Sequence, residues 1–284
     1  MKVKVYVASA FSKNGKGGNK AGVVILDKFK LSVEDKMKIS LMVGFAETAF
    51  VSKTDKADYK LEYFTPKEEV DLCGHATIAT FTILKHLGYV TNKEYKIETK
   101  RGILSVELID DLIMMEQNKP ELYEMLSSDE IRACFDLDVL NNMPIQIVST
   151  GLKDIIVPIQ NKELLLSMKP NLQTIKNISR KYNTIGIHAF TFDTFNKESS
   201  ALCRNFAPLY DVDEESATGT SNCALACYLN TYKYIEKENY IFEQGYNYEN
   251  PSEIDVRIIK DKSIINKVLV GGQGYFDSIN EIEI

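Results

Sequence analysis

The stretch Asp71–Leu84, "DLCGHATIATFTIL", places a cysteine, a glycine and a histidine directly before an apolar run that is typical of a buried helix. A similar pattern returns in Ser216–Leu229, "SATGTSNCALACYL", when Gly219 is placed on Gly74, which lies 145 residues earlier (219 − 74). In both stretches acidic residues come first, a glycine follows, and small residues open the helix. Because the offset is close to half of the chain, this weak repeat predicts two related halves.

A glycine at the first turn of a helix has two interpretations. It can simply permit a tight turn from a strand into the helix. It can also let an anion approach the free N–H groups and the positive end of the helix dipole. The presence of both Gly74 and Gly219, at positions related by the repeat, favours a site that holds a carboxylate.

The composition excludes several classes of protein. The chain has 284 residues, is 44% hydrophobic and carries a net charge of −6. Its Lys and Arg residues are scattered, so we expect no nucleic-acid partner. The first residues, "MKVKVYVASAF", lack the apolar core of a signal peptide, and no apolar run approaches the length of a membrane span. We therefore expect a cytoplasmic protein that has no membrane partner.

The cysteines and histidines do not have the spacing of a metal site. The five cysteines include no C-x-x-C pair, and none of the three histidines lies four residues from another. We therefore expect free thiols and no metal. The glycines of "GKGGN" precede a strand rather than a helix, so no nucleotide cofactor is expected, and we predict that the protein uses no cofactor.

Cys73 itself has two interpretations. At a helix N-terminus its pKa can be lowered, which would make it a nucleophile. The residue at the matching position of the repeat is Thr218, however, and a hydroxyl is too weak an acid to serve as the second proton-transfer group without a base beside it. This argues against an enzyme with two thiols.

Local patterns predict an α+β chain. Val3–Phe11 and Ala21–Leu26 indicate an opening hairpin, and Ser32 with Asp35 indicates a capped helix that ends at Gly44. The periodicity lapses near residues 118–129. We therefore predict an N-terminal half over 1–122, joined by the C-terminal strand 266–284, and a C-terminal half over 123–265.

Several stretches, taken in order, resemble the PhzF family, the phenazine-biosynthesis-like isomerases. The stretches are "GGNKAGVVIL", "AETAFV", "YFTPKEEVDLCGHATIAT", "STGLKDIIVPI", "RNFAPLYDVDEESATGTSN" and "KVLVGGQGYF". The resemblance implies the fold of diaminopimelate epimerase. That fold has two pseudo-twofold-related domains, each a curved, mostly antiparallel sheet around a central helix, with the active site between them.

The resemblance also implies site residues. Glu47 matches the catalytic glutamate of the family, which shuttles a proton in the isomerisation of a dihydro-hydroxyanthranilate, and His75 matches its histidine. Glu215 stands where the family has aspartate, and Thr220 where it has serine, which keeps the chemistry but narrows the pocket. The expected catalytic residues are Glu47, His75 and Glu215. The expected substrate-binding residues are Asn19, Cys73, Gly74, Gly219 and Thr220.

These inferences predict a cofactor-independent isomerase that moves a proton between carbons of a small carboxylate-bearing substrate. Burial and a nearby Glu215 would raise the pKa of Glu47 toward neutrality, so that it could both take and return the proton. Two alternatives stay open, a racemase or epimerase that depends on Cys73 and a catalytically silent protein that binds carboxylates. The identity of the substrate and a homodimeric state also stay open.

Overall fold

A computed structural model describes residues 1–27, 29–135, 140–232, 234–262 and 264–284. The chain folds into two compact units. Unit 1 comprises Met1–Glu116 and Gly271–Ile284, and unit 2 comprises Gln117–Val270. Among the helices described, none is both long enough and apolar enough to cross a membrane.

The first part of the chain contributes eight strands and two helices to unit 1. In chain order they are β1 (Lys2–Ala10), β2 (Asn19–Ile25), α1 (Val33–Val43), β3 (Thr48–Ser52), β4 (Tyr59–Phe64), β5 (Glu69–Val70), α2 (Gly74–His86), β6 (Glu94–Thr99), β7 (Gly102–Ile109) and β8 (Leu112–Gln117). The last strand of the chain, β17 (Ile264–Glu283), begins in unit 2 and ends in unit 1, where it pairs antiparallel with β1.

Strand pairing in unit 1 is mostly antiparallel. The pairs β1–β2, β3–β4, β4–β5, β6–β7 and β7–β8 are antiparallel, so the predicted opening hairpin is confirmed. The pairs β2–β3 and β4–β6 are parallel, because a helix connects the two strands in each case. Helix α2 packs against β1 and β2.

Unit 2 contains the remaining elements. They are β9 (Glu121–Leu126), α3 (Ser128–Arg132), β10 (Ile145–Ser149), β11 (Lys153–Pro158), α4 (Lys162–Ser167), α5 (Leu172–Tyr182), β12 (Gly186–Thr191), β13 (Ala201–Ala207), β14 (Val212–Glu215), α6 (Gly219–Thr231), β15 (Asn239–Gln244) and β16 (Ser252–Asp261). Helix α6 packs against β10, β11 and β16.

The two units share one topology. In unit 2, β10–β11, β12–β13, β13–β14 and β15–β16 are antiparallel, while β11–β12 and β13–β15 are parallel. This is the order found from β1 to β7 in unit 1, with α6 in the place of α2. The predicted fold class, α+β with a mostly antiparallel sheet around a central helix in each unit, is confirmed, and so is the repeat that Gly74 and Gly219 indicated.

The central helices differ from α1 in their sequence pattern. Every residue from Ala76 to Leu84 of α2 and from Ser221 to Asn230 of α6 is buried. A helix that is apolar on all sides belongs in a core, which explains why a sheet wraps around each of them. Helix α1 instead has the predicted capping box of Ser32 and Asp35 and ends at Gly44 in the left-handed conformation.

Candidate active site

Glu47 lies in the short connection between α1 and β3. Helix α1 ends at Gly44, whose φ of 77° turns the chain, and β3 begins at Thr48, which pairs with Gly22 on one side and Phe64 on the other. The backbone immediately after Glu47 is therefore fixed by two neighbouring strands. Its side chain is 20% exposed.

Cys73 and His75 lie at the start of α2, directly after the short strand β5. Cys73 is the N-cap residue and Gly74 is the first residue of the helix. The hydroxyl of Thr77 donates a hydrogen bond to the carbonyl oxygen of Cys73 at 2.8 Å, and it lies 2.6 Å from the hydroxyl of Tyr63 in β4. These buried contacts tie the first turn of α2 to the sheet.

The fold brings Glu47, Cys73 and His75 together, and we call these three residues the triad. Nε2 of His75 lies 3.1 Å from Oε2 of Glu47, and Sγ of Cys73 lies 3.5 Å from Nδ1 of His75 and 3.8 Å from its Nε2. Oε2 of Glu47 is buried and has no well-aligned hydrogen bond among the described residues. The attraction between Glu47 and His75 is therefore one of charge at ion-pair distance.

The pKa values of the pair diverge. Burial by itself raises the pKa of Glu47, but the nearby His75 and, to a smaller extent, Cys73 outweigh burial and lower that pKa below its ordinary value. Burial by itself lowers the pKa of His75, yet its contacts with Cys73 and Glu47 raise that pKa well above its ordinary value. The expectation of a raised pKa for Glu47 is therefore wrong, because it left out the imidazolium at 3.1 Å.

Cys73 is a neutral thiol in this arrangement. Burial raises its pKa above the ordinary value of a thiol, and the charge of Glu47 adds to that rise. A thiol whose pKa is raised is a poor nucleophile at neutral pH. The contacts of His75 with Cys73 and Glu47 together raise its pKa, so at neutral pH the imidazole is protonated and pairs with the carboxylate of Glu47.

Gly74 is not required by the backbone conformation. Neither Gly74 nor Gly219 is among the described residues with a positive φ, and a Cβ built on Gly74 meets no described atom within 4 Å. The tight-turn interpretation of Gly74 is therefore not needed, because the chain enters the helix there without a left-handed residue. The space beside Gly74 is therefore open.

The expected site residues of unit 2 lie at the start of α6. Glu215 is the last residue of β14, and Thr218 is the N-cap residue before Gly219. The hydroxyl of Thr218 donates a hydrogen bond to Oε2 of Glu215 at 2.6 Å. The backbone carbonyl of Thr220 accepts a hydrogen bond from the hydroxyl of Thr150 at 3.2 Å.

Sequence analysis missed Gln244, which holds this segment in place. Its Oε1 accepts hydrogen bonds from the backbone N–H of Thr218 at 3.2 Å and from Nδ2 of Asn222 at 3.0 Å. Its Nε2 donates to the carbonyl of Glu215 at 2.9 Å and to the hydroxyl of Thr218 at 3.0 Å. The only signal in the sequence is an amide that follows a glutamate at the end of the strand Asn239–Gln244, and no spacing pattern links it to the start of α6.

A cluster of buried polar side chains lies beside the first turn of α6. Ser221 donates to Oδ2 of Asp154 at 2.7 Å and accepts from Nδ2 of Asn205 at 3.1 Å. Burial, with a contribution from the charge of Glu215, raises the pKa of Asp154 to about 7. Burial lowers the pKa of His188, which contacts Asn205, to about 4, so His188 is neutral. His188 is therefore a structural residue of the core.

Asn19 is the remaining expected site residue. It begins β2, pairs with Ala10 and is partly exposed. Within the described ranges, no hydrogen bond or ion pair joins Asn19 to the triad. Its role in binding a substrate stays a prediction.

Comparison with known proteins identifies a family and several relatives that this chain resembles over nearly its whole length. The model of the family described as phenazine biosynthesis-like protein matches residues 8–277. An isomerase of Bacillus subtilis, YfhB, is 31% identical over 262 residues, which cover 88% of this chain and 88% of that protein. A Bacillus anthracis phenazine biosynthesis protein of the PhzF family has a crystal structure that covers 100% of both chains with a TM-score of 0.91 at 29% identity.

More distant structures share only the fold. A hydroxyproline epimerase of Agrobacterium vitis, solved with bound trans-4-hydroxy-L-proline, has a TM-score of 0.64 at 11% identity and covers 99% of this chain and 92% of its own. The family match over nearly the whole chain, together with relatives that are named isomerases, confirms the family resemblance of the sequence. The chain therefore belongs to the phenazine biosynthesis-like family and is an isomerase.

Proposed function

We propose that this isomerase needs no cofactor and moves a proton between carbons of a small carboxylate-bearing substrate, with Glu47 as the acid and base. The observation that carries the proposal is the 3.1 Å contact between Oε2 of Glu47 and Nε2 of His75, at the open start of a buried helix. Here a carboxylate that can take a proton lies beside a cation and the N-terminus of a helix, whose dipole favours an anion.

The pair explains how one carboxylate can both take and return a proton. At rest, His75 lowers the pKa of Glu47, so the carboxylate is ionised and able to accept a proton. Burial is the largest single influence on Glu47 and acts in the opposite direction. When the imidazolium of His75 turns to the negative charge that develops on the substrate, burial dominates, and Glu47 becomes the stronger base that the reaction requires.

The substrate carboxylate would be held at the start of α2. The helix dipole favours an anion there, and the space beside Gly74 is open. On the strength of the family resemblance, Glu215 is proposed as a further catalytic residue, and Gly219 and Thr220 as further substrate-binding residues.

Exchange with solvent tests this function directly. The chain is incubated in D2O with a panel of small carboxylates that includes a dihydro-hydroxyanthranilate, proline and trans-4-hydroxy-L-proline, and deuterium incorporation is followed by NMR. Incorporation that depends on the protein supports a proton-transferring isomerase. Saturable binding of a carboxylate without any incorporation would support the alternative of a silent binding protein.

Replacement of Cys73 tests the alternative of a thiol-dependent racemase. We expect Cys73→Ala to lower the rate of exchange by less than about tenfold, because a thiol whose pKa is raised by burial does not serve as the base. The rate is measured on the substrate that the panel identifies. A loss as complete as that of a Glu47 variant would instead support the racemase.

Gly74→Ala tests the anion site at the start of α2. We expect an unchanged or slightly higher melting temperature, because the added Cβ meets open space and alanine favours a helix. We expect affinity for a carboxylate ligand to fall by about tenfold, about 1.4 kcal/mol, because the Cβ blocks the approach to the N–H groups. Calorimetric titration measures the affinity and a thermal melt the stability.

Gly88→Ala is the matched control near the other end of α2. Gly88 has a φ of 75°, so alanine is strained there, and we expect lower stability with unchanged affinity. Unchanged affinity in Gly74→Ala would remove the start of α2 as the carboxylate site.

A further inference from the structure

We infer that the triad is also a binding site for a soft divalent cation such as Zn²⁺, and that the bound cation inhibits the enzyme. The three side chains offer a thiol, an imidazole and a carboxylate, which are the three kinds of ligand that Zn²⁺ takes in proteins. The ligand atoms of Glu47, Cys73 and His75 all lie within 4.8 Å of one another.

Two of the three distances between these atoms are close to those on one face of a zinc tetrahedron. Bonds of about 2.3 Å to sulfur and about 2.0–2.2 Å to nitrogen or oxygen place the ligand atoms of a tetrahedral site about 3.4–3.6 Å apart. The contact between Nε2 of His75 and Oε2 of Glu47 is 3.1 Å, and the one between Nε2 and Sγ of Cys73 is 3.8 Å. Both distances differ from the ideal spacing by only a few tenths of an ångström, which small side-chain rotations can supply.

The environment leaves the site ready for an ion. Oε2 of Glu47 is buried and lies 3.1 Å from Nε2 of His75, and a cation bound between these two atoms would replace that contact. The side chains of His75 and Glu47 are 11% and 20% exposed, so an ion can enter from solvent. The hydrogen bond from Thr77 to the carbonyl of Cys73 fixes the turn that carries two of the ligands. Three protein ligands leave the fourth position open, as in an exchangeable site.

Occupation by a cation would stop the proposed proton transfer. Binding would release the proton on Nε2 of His75 and the thiol proton of Cys73 to solvent, and the ion would then hold that nitrogen, the sulfur and the oxygen of Glu47 that accepts the proton. We therefore expect Zn²⁺ to inhibit exchange and a chelator to restore it. Sequence spacing did not indicate this site, because Glu47 comes from a different element, 26 residues before Cys73 (73 − 47).

The test titrates Zn²⁺ alone into the chelator-treated full chain by calorimetry. We expect one ion per chain with a dissociation constant of about 1 μM or tighter, which corresponds to about −8 kcal/mol. Cys73→Ala, with Cys73→Ser as a second variant in case the first does not fold, should weaken binding by at least tenfold. His86→Gln is the control, because His86 lies in the last turn of the same helix and should leave binding unchanged.

Titration with Co²⁺ adds a readout that only a thiolate ligand gives. We expect a near-ultraviolet sulfur-to-cobalt absorption band in the wild type and its loss in Cys73→Ala. Absence of stoichiometric Zn²⁺ binding, equal weakening by Cys73→Ala and His86→Gln, or no such band would each overturn the inference. Because binding is read without a substrate, these outcomes are independent of whether the proposed isomerase reaction is found.

Discussion

Glu47→Gln is expected to lower the exchange of substrate hydrogen with solvent by about 10³-fold or more. A positioned general acid or base contributes about 10²–10⁴ to a rate, and glutamine can neither accept nor return a proton. The other two groups of the triad are poor replacements for this carboxylate, because burial raises the pKa of the Cys73 thiol and His75 is protonated in the native triad.

The same substitution should leave the fold intact. Glutamine is nearly the same size as glutamate, and Oε2 of Glu47 has no well-aligned hydrogen bond in the described part of the chain, so no strong bond is broken. The variant loses the charge attraction to His75, and burial, now less opposed, should lower the pKa of that imidazole.

Deuterium incorporation measures the activity of Glu47→Gln, and circular dichroism with a thermal melt measures its folding. Glu34→Gln is the control, because Glu34 is an exposed carboxylate in the first turn of α1 in the same unit. The control should retain the wild-type rate. Wild-type exchange in Glu47→Gln would remove Glu47 as the base and with it the proposed mechanism.

The parts of the fold that could be predicted rest on local signals. The capping box of Ser32 and Asp35 fixes the start of α1 through hydrogen bonds within one turn, and Gly44 ends the helix through its own backbone freedom. The repeat around Gly74 and Gly219 was visible because each glycine opens a helix that is apolar on all sides. Neither inference needed to know which strands pair.

The parts that could not be predicted depend on contacts between distant residues. The pKa of Glu47 was expected to rise, because burial could be inferred from the sequence, whereas the 3.1 Å contact with His75 could not. The role of Gln244 was missed because its four hydrogen bonds reach back more than 20 residues to the start of α6. In both cases the property depends on a contact between a polar side chain and a partner on another secondary-structure element, and such a contact leaves no local pattern in the sequence.

His75→Gln is expected to lower the rate by about 10²-fold and to move the acidic limb of the pH–rate profile to higher pH. Glutamine retains a hydrogen-bond donor but cannot carry the positive charge that His75 holds beside Glu47. Without that charge the largest remaining influence on Glu47 is burial, which raises its pKa. A base with a higher pKa is protonated, and therefore inactive, over a wider acidic range.

Thermal melts between pH 3 and pH 9 give a second readout of the same pair. The pKa of Glu47 is lowered in the fold, so its contribution to the free energy of unfolding is present above its ordinary pKa of 4.5 and is lost as the pH falls through the folded-state value. The pKa of His75 is raised, so its contribution is complete below 6.5 and is lost as the pH rises through the folded-state value. The pair therefore stabilises the fold most between these two pH values.

His75→Gln should lose this stabilisation, so the difference in melting temperature from the wild type should be largest between about pH 4.5 and 6.5 and smaller on either side. His86→Gln is the control, because His86 does not belong to the triad. This variant should show neither the shifted acidic limb nor the pH-dependent difference in melting temperature. An acidic limb that stays in place in His75→Gln would mean that His75 does not set the pKa of Glu47. The 3.1 Å contact would then be a structural ion pair, and another group would have to hold the carboxylate ionised for its reaction.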